Sequence, residues 1–138
     1  MTWRTLHRVF SSPVTHTAAE YDRFAEIYAV WTDTAASTRA NLAFYLDAYA
    51  RADGPVVELG VGDGRIAVPA ALAGQSIIGV DLSETMLALC RRRADEAGVG
   101  ERLTLMQADF SGFQLDAPAG MIALPYHSIG HLLTLDDK

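Results

Sequence analysis

Apolar positions along this chain repeat with two different periods. From Glu20 they recur every three or four residues, first at Tyr21, Phe24, Ala25, Tyr28 and Trp31, then at Leu42, Tyr45, Leu46 and Tyr49. Such spacing lines up one helical face, and it predicts a helix from about residue 20 and another over about 37–51. The turn signal Asp53-Gly54-Pro55 ends the second helix. Beyond it the pattern becomes a series of short strand-like runs at 56–59, 75–81, 102–107 and 120–124, of which 75–81 and 120–124 read as buried strands. Helical stretches separate the first three runs, at 66–72 and from Ser83 to Gly98. A β-α-β-α-β order with short connections predicts parallel strands and right-handed crossovers. Residues 1–17 carry little pattern and read as a lead-in.

Local signals refine the helices. Pro69 cannot donate to a carbonyl four residues back, so its helix either starts late or bends there, and Gly74 closes it. Ser83 is the expected N-cap of the next helix, with Glu84 in the first turn, Leu82 able to pack on Leu87 and Gly98 as the C-terminal stop. Met86, Cys90, Ala94 and Ala97 share its apolar face. The run Arg91-Arg92-Arg93 falls largely off that face and reads as solvated surface.

The junction Val56-Val57-Glu58-Leu59-Gly60-Val61-Gly62-Asp63-Gly64-Arg65 organises the chain. A strand ending in an acid, a loop with glycine at every second position and then a helix is how an open α/β sheet builds a nucleotide site. By itself the pattern is also compatible with a plain turn. A second feature strengthens it. Asp81 ends the next strand 21 residues beyond Gly60, where a carboxylate can accept from a ribose diol. The dinucleotide fingerprint G-x-G-x-x-G needs glycine where this chain has Arg65.

The order acid-x-Gly-x-Gly-x-Gly resembles the first motif of the class I S-adenosylmethionine (SAM) dependent methyltransferases. Gly79-Val80-Asp81-Leu82-Ser83 resembles their second, and Gln107-Ala108-Asp109-Phe110 their adenine-holding segment. The resemblance spans about 56–133. It implies a Rossmann-like three-layer α/β sandwich with a parallel sheet of order 3-2-1-4, preceded by N-terminal helices. In that scheme 1–53 is a helical lead-in or cap and 54–138 is an incomplete SAM-binding domain. A family domain continues through three more strands, so the expectation is a truncated fold, either a fragment or a unit completed by another chain. Its fourth strand would then offer an apolar edge for self-association. The family often has an acid before that strand, where this chain has Ala119-Gly120.

Residue by residue, the resemblance implies that Gly60, Gly62 and Gly64 let the backbone reach the methionine part of SAM. Glu58 orients the loop and the cofactor's amino group. Asp81 takes the ribose hydroxyls, Leu82 flanks the adenine, Asp109 accepts from the exocyclic amine and Phe110 packs nearby, with Met86 completing the cofactor set. Tyr21-Asp22-Arg23-Phe24-Ala25 resembles leaders of small-molecule methyltransferases, which makes Tyr21 a candidate catalytic residue alongside its plain reading as a packed aromatic. His127 follows the fourth strand, where a histidine can take a proton from the acceptor; lining the pocket is its alternative. His127 and His131 lack a third ligand, so no metal is expected.

Composition narrows the partners. The 138 residues are 50% hydrophobic and 20% charged, as in a globular domain, with a formal charge of −6. That balance argues against nucleic acid and anionic membrane. Residues 1–10 lack the apolar core of a signal peptide, and a lone Cys90 suits a reducing compartment, so the expected location is the cytoplasm. The function expected is methyl transfer from SAM, leaving S-adenosylhomocysteine (SAH), to a small molecule. The rivals are a non-catalytic SAM-binding module and a fragment of an NAD-linked dehydrogenase.

Overall fold

The structure, a computed structural model, describes residues 36–109 and 112–125. Helix α1 (Ala36–Ala50) leads into strand β1 (Val56–Leu59), helix α2 (Ala67–Leu72) and strand β2 (Ile77–Asp81). Helix α3 (Glu84–Glu96), a 3-10 turn (Gly100–Arg102), β3 (Leu103–Gln107) and β4 (Met121–Ala123) follow. The strands form one parallel sheet in the expected order, β3-β2-β1-β4. The chain therefore works outward from β1 to β3 and then returns to the other side of β1. A crevice opens at such a switch point beyond the carboxyl ends of the strands, which is where α/β sheets bind ligands.

Register follows from the apolar runs. Val56 sits opposite Ile77 on one side and Met121 on the other, and Ile77 sits opposite Leu103. Val56 and Val57 point to opposite faces of β1 and neither is exposed, as an interior parallel strand requires. Along α1, Leu42, Tyr45 and Leu46 pack against the core, and Tyr49 is wholly inside it.

Pro69 falls in the first turn of α2, where its missing N–H has no intrahelical acceptor to lose. The helix thus starts late rather than bending. Ser83 caps α3 as its sequence predicts, its Oγ accepting from Met86 N at 3.2 Å. Gly98 ends that helix region at φ +71°, a conformation that suits glycine.

Two expectations change. The fourth apolar run is not a buried strand: Met121 and Ala123 pack on the core, but Ile122 is 59% exposed. The alternating pleat accounts for this, because β4 pairs only with β1 among the described residues and its outward position has no cover there. Gly120, just before it, has a steric role. A Cβ at this position would lie 2.6 Å from Gly54 N and 2.7 Å from Asp53 C. The two backbones cross this closely while Gly120 N donates to Pro55 O at 2.8 Å. No side chain fits at Gly120.

Gly120→Ala should therefore destabilise the fold by about 1–3 kcal/mol, since rigid backbone has to move. Urea unfolding checks this, with Gly112→Ala as the control because a Cβ there meets nothing within 4 Å. Equal stability of the two variants would refute the crossing.

Candidate functional site

The loop after β1 rises over the carboxyl end of β2. Gly60 N and Val61 N both donate to Val80 O, at 2.8 and 3.0 Å. Gly60, Gly62 and Gly64 all have positive φ, at 70°, 56° and 81°. An L side chain in that region is strained, so glycine recurs at alternate positions. Their surroundings differ. A Cβ on Gly62 would meet nothing within 4 Å, whereas one on Gly64 would lie 2.5 Å from Cys90 Sγ. Gly62 borders open space; Gly64 is buried and lets the loop pack on α3. Gly79 acts similarly, because a Cβ there would strike Val61 and Leu105 at 2.8 and 2.9 Å.

Asp81 joins the two loops. Its Oδ2 accepts from Gly62 N at 2.8 Å and its Oδ1 from Ser83 N at 2.9 Å. The Asp81 carbonyl accepts from Ala108 N at 3.1 Å, which ties the loop after β3 to the same spot and sets exposed Asp109 beside it. Gln107 Nε2 donates to Leu82 O at 3.3 Å, a further tie between the second and third motifs. Leu82 is 49% exposed, and Met86 is buried below it in the first turn of α3 with Leu89.

Two acids are buried under the glycine loop. Glu58, at the end of β1, is 2% exposed and accepts from the Tyr49 hydroxyl at 2.9 Å. Burial pushes its carboxyl up from 4.5 to about 8; the Tyr49 hydrogen bond and the charge of Arg65 oppose that rise, and Asp63 adds to it. Asp63, 4% exposed, forms an ion pair with Arg93 of α3 at 3.1 Å, although the approach is too oblique for a hydrogen bond. One member of the arginine run is thus half-buried and reaches the loop, contrary to the expectation of a fully solvated run. Burial above all, with the charges of both acids adding to it, pushes the Cys90 thiol up to about 12, which leaves it neutral.

The structure therefore gathers Glu58, Gly60, Gly62, Gly64, Asp81, Leu82 and Asp109 at one end of the sheet. Tyr21, Phe110 and His127 lie outside the described residues. No group of three or more His, Cys, Asp or Glu suited to a metal occurs among the described residues, and no described helix is long and apolar enough to cross a membrane. The pattern reading missed Tyr49, Asp63 and Arg93. Tyr49 looked like packing; a tyrosine rather than phenylalanine at a core position, nine residues before a buried-strand acid, was the available signal.

The profile of the family described as "Methyltransferase domain" matches residues 56–137, from the first residue of β1 onward. The chain belongs to the class I SAM-dependent methyltransferases. A curated relative, the tuberculostearic acid methyltransferase UfaA1 of Mycobacterium tuberculosis, is 33% identical over 90 residues, covering 64% of this chain and 21% of that protein. The glycopeptide N-methyltransferase MtfA, solved with SAM, is 34% identical with a TM-score of 0.61, covering 70% of this chain and 40% of MtfA. The CcbJ methyltransferase of Streptomyces caelestis is 28% identical with a TM-score of 0.71, covering 83% of this chain and 46% of CcbJ. The chain thus spans less than half the length of each of these methyltransferases. In this family the cofactor is SAM.

The donor set suits such a group. Gly62 faces open space, and the Asp81 carboxylate stands beside it, tied to both loops.

Glu58 makes a prediction for the free protein. Its folded carboxyl holds a proton that the unfolded one releases above about pH 4.5, so the native state binds more protons in between. This stabilising contribution is complete below pH 4.5 and is lost as pH rises through about 8. The stability of the wild type relative to Glu58→Gln should fall by up to about 1.4 kcal/mol per pH unit across that window. Urea unfolding at pH 5, 6, 7 and 8 measures it, and a flat difference would mean an ordinary, ionised Glu58.

Proposed function

We propose that this chain binds SAM over the carboxyl ends of β1 and β2 and serves methyl transfer to a small-molecule acceptor. The observation that carries the reading is Asp81, whose carboxylate clasps both Gly62 N and Ser83 N beside the open space at Gly62. SAM supplies an activated methyl group on a sulfonium, which leaves as the neutral thioether SAH when an acceptor's lone pair takes the methyl carbon. The protein's work is then to hold the acceptor in line and keep water out.

The glycine loop and Glu58 hold the amino-acid end, Asp81 the ribose, and Leu82, Met86, Asp109 and Phe110 the adenine. His127 receives the proton that the acceptor loses, and Tyr21 is a further catalytic candidate. The names of the relatives span a fatty acid and a glycopeptide, and a small-molecule acceptor rests on the Tyr21-Asp22-Arg23-Phe24-Ala25 leader. Self-association along β4, with Ile122 at its exposed face, and a cytoplasmic location belong to the same reading.

Titration calorimetry with SAH and with NADH tests the cofactor. SAH should bind and NADH should not, because Arg65 stands where a dinucleotide site needs glycine. Asp81→Ala should weaken SAH binding by about 10- to 100-fold, through loss of a charged acceptor for buried hydroxyls. Unchanged affinity would remove Asp81 from the site. His127→Gln should leave SAH affinity intact and slow methyl transfer by about 100-fold or more, the usual scale for a lost general base. Tight SAH binding with no transfer in any longer form of the protein would favour a non-catalytic SAM-binding module.

A further inference from the structure

The hydrogen bond from Tyr49 to Glu58 joins two buried groups on different elements. Tyr49 belongs to α1, ahead of the range 56–137 that matches the family, while Glu58 opens the glycine loop within it. A phenol at a wholly buried position costs stability unless its hydroxyl is satisfied, so phenylalanine would suit packing alone. The hydroxyl here is satisfied by the acid whose orientation the proposed cofactor site requires.

We propose that Tyr49 is a positioning residue of the cofactor site, its hydroxyl fixing the Glu58 carboxyl group for the ammonium of a SAM-type ligand. The inference rests on the SAM-binding reading above and extends the site to α1. The groups that act on Glu58 come from two elements, Tyr49 from α1 and Asp63 and Arg65 from the loop, with Arg93 of α3 pairing to Asp63 and the buried, neutral Cys90 of α3 feeling the charge of Glu58. Burial favours the protonated acid most strongly, and the Tyr49 bond is the largest influence opposing it. A donated hydrogen bond stabilises the ionised carboxylate, and an ionised carboxylate attracts an ammonium. Removing the hydroxyl therefore acts twice, by freeing the carboxyl group to turn and by making it harder to ionise.

SAH is the probe, titrated calorimetrically into the full chain at pH 6, 7 and 8, where its amine stays protonated. Wild-type affinity should rise with pH as Glu58 ionises. Tyr49→Phe should bind about tenfold more weakly at pH 7, the scale of one hydrogen bond to a charged group, with its pH dependence displaced upward. Glu58→Gln keeps an acceptor for Tyr49 but cannot ionise. It should lose the pH dependence, and adding Tyr49→Phe to it should cost little more.

A Tyr49→Phe protein with wild-type affinity and pH profile would overturn the inference and leave the SAM reading standing. So would an equal loss from Tyr49→Phe in the wild-type and Glu58→Gln backgrounds, which marks a merely structural role. Should Tyr49→Phe fail to fold, Glu58→Gln alone decides: a wild-type pH profile in that variant overturns the inference. Failure of the wild type to bind SAH at any of these pH values would overturn the SAM reading and the inference with it.

Discussion

Val80 and Asp81 hold two loops with one stretch of backbone and one side chain. The Val80 carbonyl takes Gly60 N and Val61 N, and the two Asp81 oxygens take Gly62 N and Ser83 N. The loop after β1 and the entry to α3 are thereby fixed relative to each other before any ligand arrives. Bonds to an ionised carboxylate are stronger than neutral ones. A rim already ordered in the free protein spares a ligand the entropic cost of ordering it. The constraint is demanding on sequence: the loop meets β2 only with positive φ at Gly60 and Gly62, and Val61 can bury itself only because Gly79 has no side chain.

Burying acids beneath that loop creates an opposing tension. Glu58 and Asp63 are both almost wholly enclosed, and an isolated carboxylate in such surroundings is costly. Each is answered from a different helix, Glu58 by the Tyr49 hydroxyl of α1 and Asp63 by the Arg93 guanidinium of α3. The two solutions differ chemically. Asp63 meets a full positive charge, whereas Glu58 meets a neutral donor and keeps its proton to about pH 8.

The fold was largely legible because its signals are local. Short apolar-rich runs marked the strands, Ser83 and Gly98 marked the ends of α3, and the glycine spacing marked the loop that Asp81 ties down. What escaped depends on contacts between elements distant in sequence. The burial of β4 could not be read from the run 120–124, since Ile122 differs from its neighbours only by the side of the pleat it occupies. Arg93 looks like Arg91 and Arg92 until α3 is seen to lean on the glycine loop. Gly120 seemed a gap in the family pattern, but its backbone crossing with Asp53 and Gly54 leaves no room for any side chain.

Tyr49 shows the same limit most sharply, and it bears on where the working unit begins. The expected division at 53/54 separates a lead-in from a cofactor domain, and the family range likewise opens at Val56. Tyr49 nevertheless shares one core cluster with Val56, Ile66, Ile77 and Cys90, and its hydroxyl holds the first acid of the fingerprint. Cutting the chain between α1 and β1 would open that core and strand Glu58 without its donor. A buried acid without its donor is a larger loss than the packing area alone, because the partner left behind keeps its full desolvation cost. The last helix before the sheet therefore shares its core and one buried hydrogen bond with the strand that opens the fingerprint.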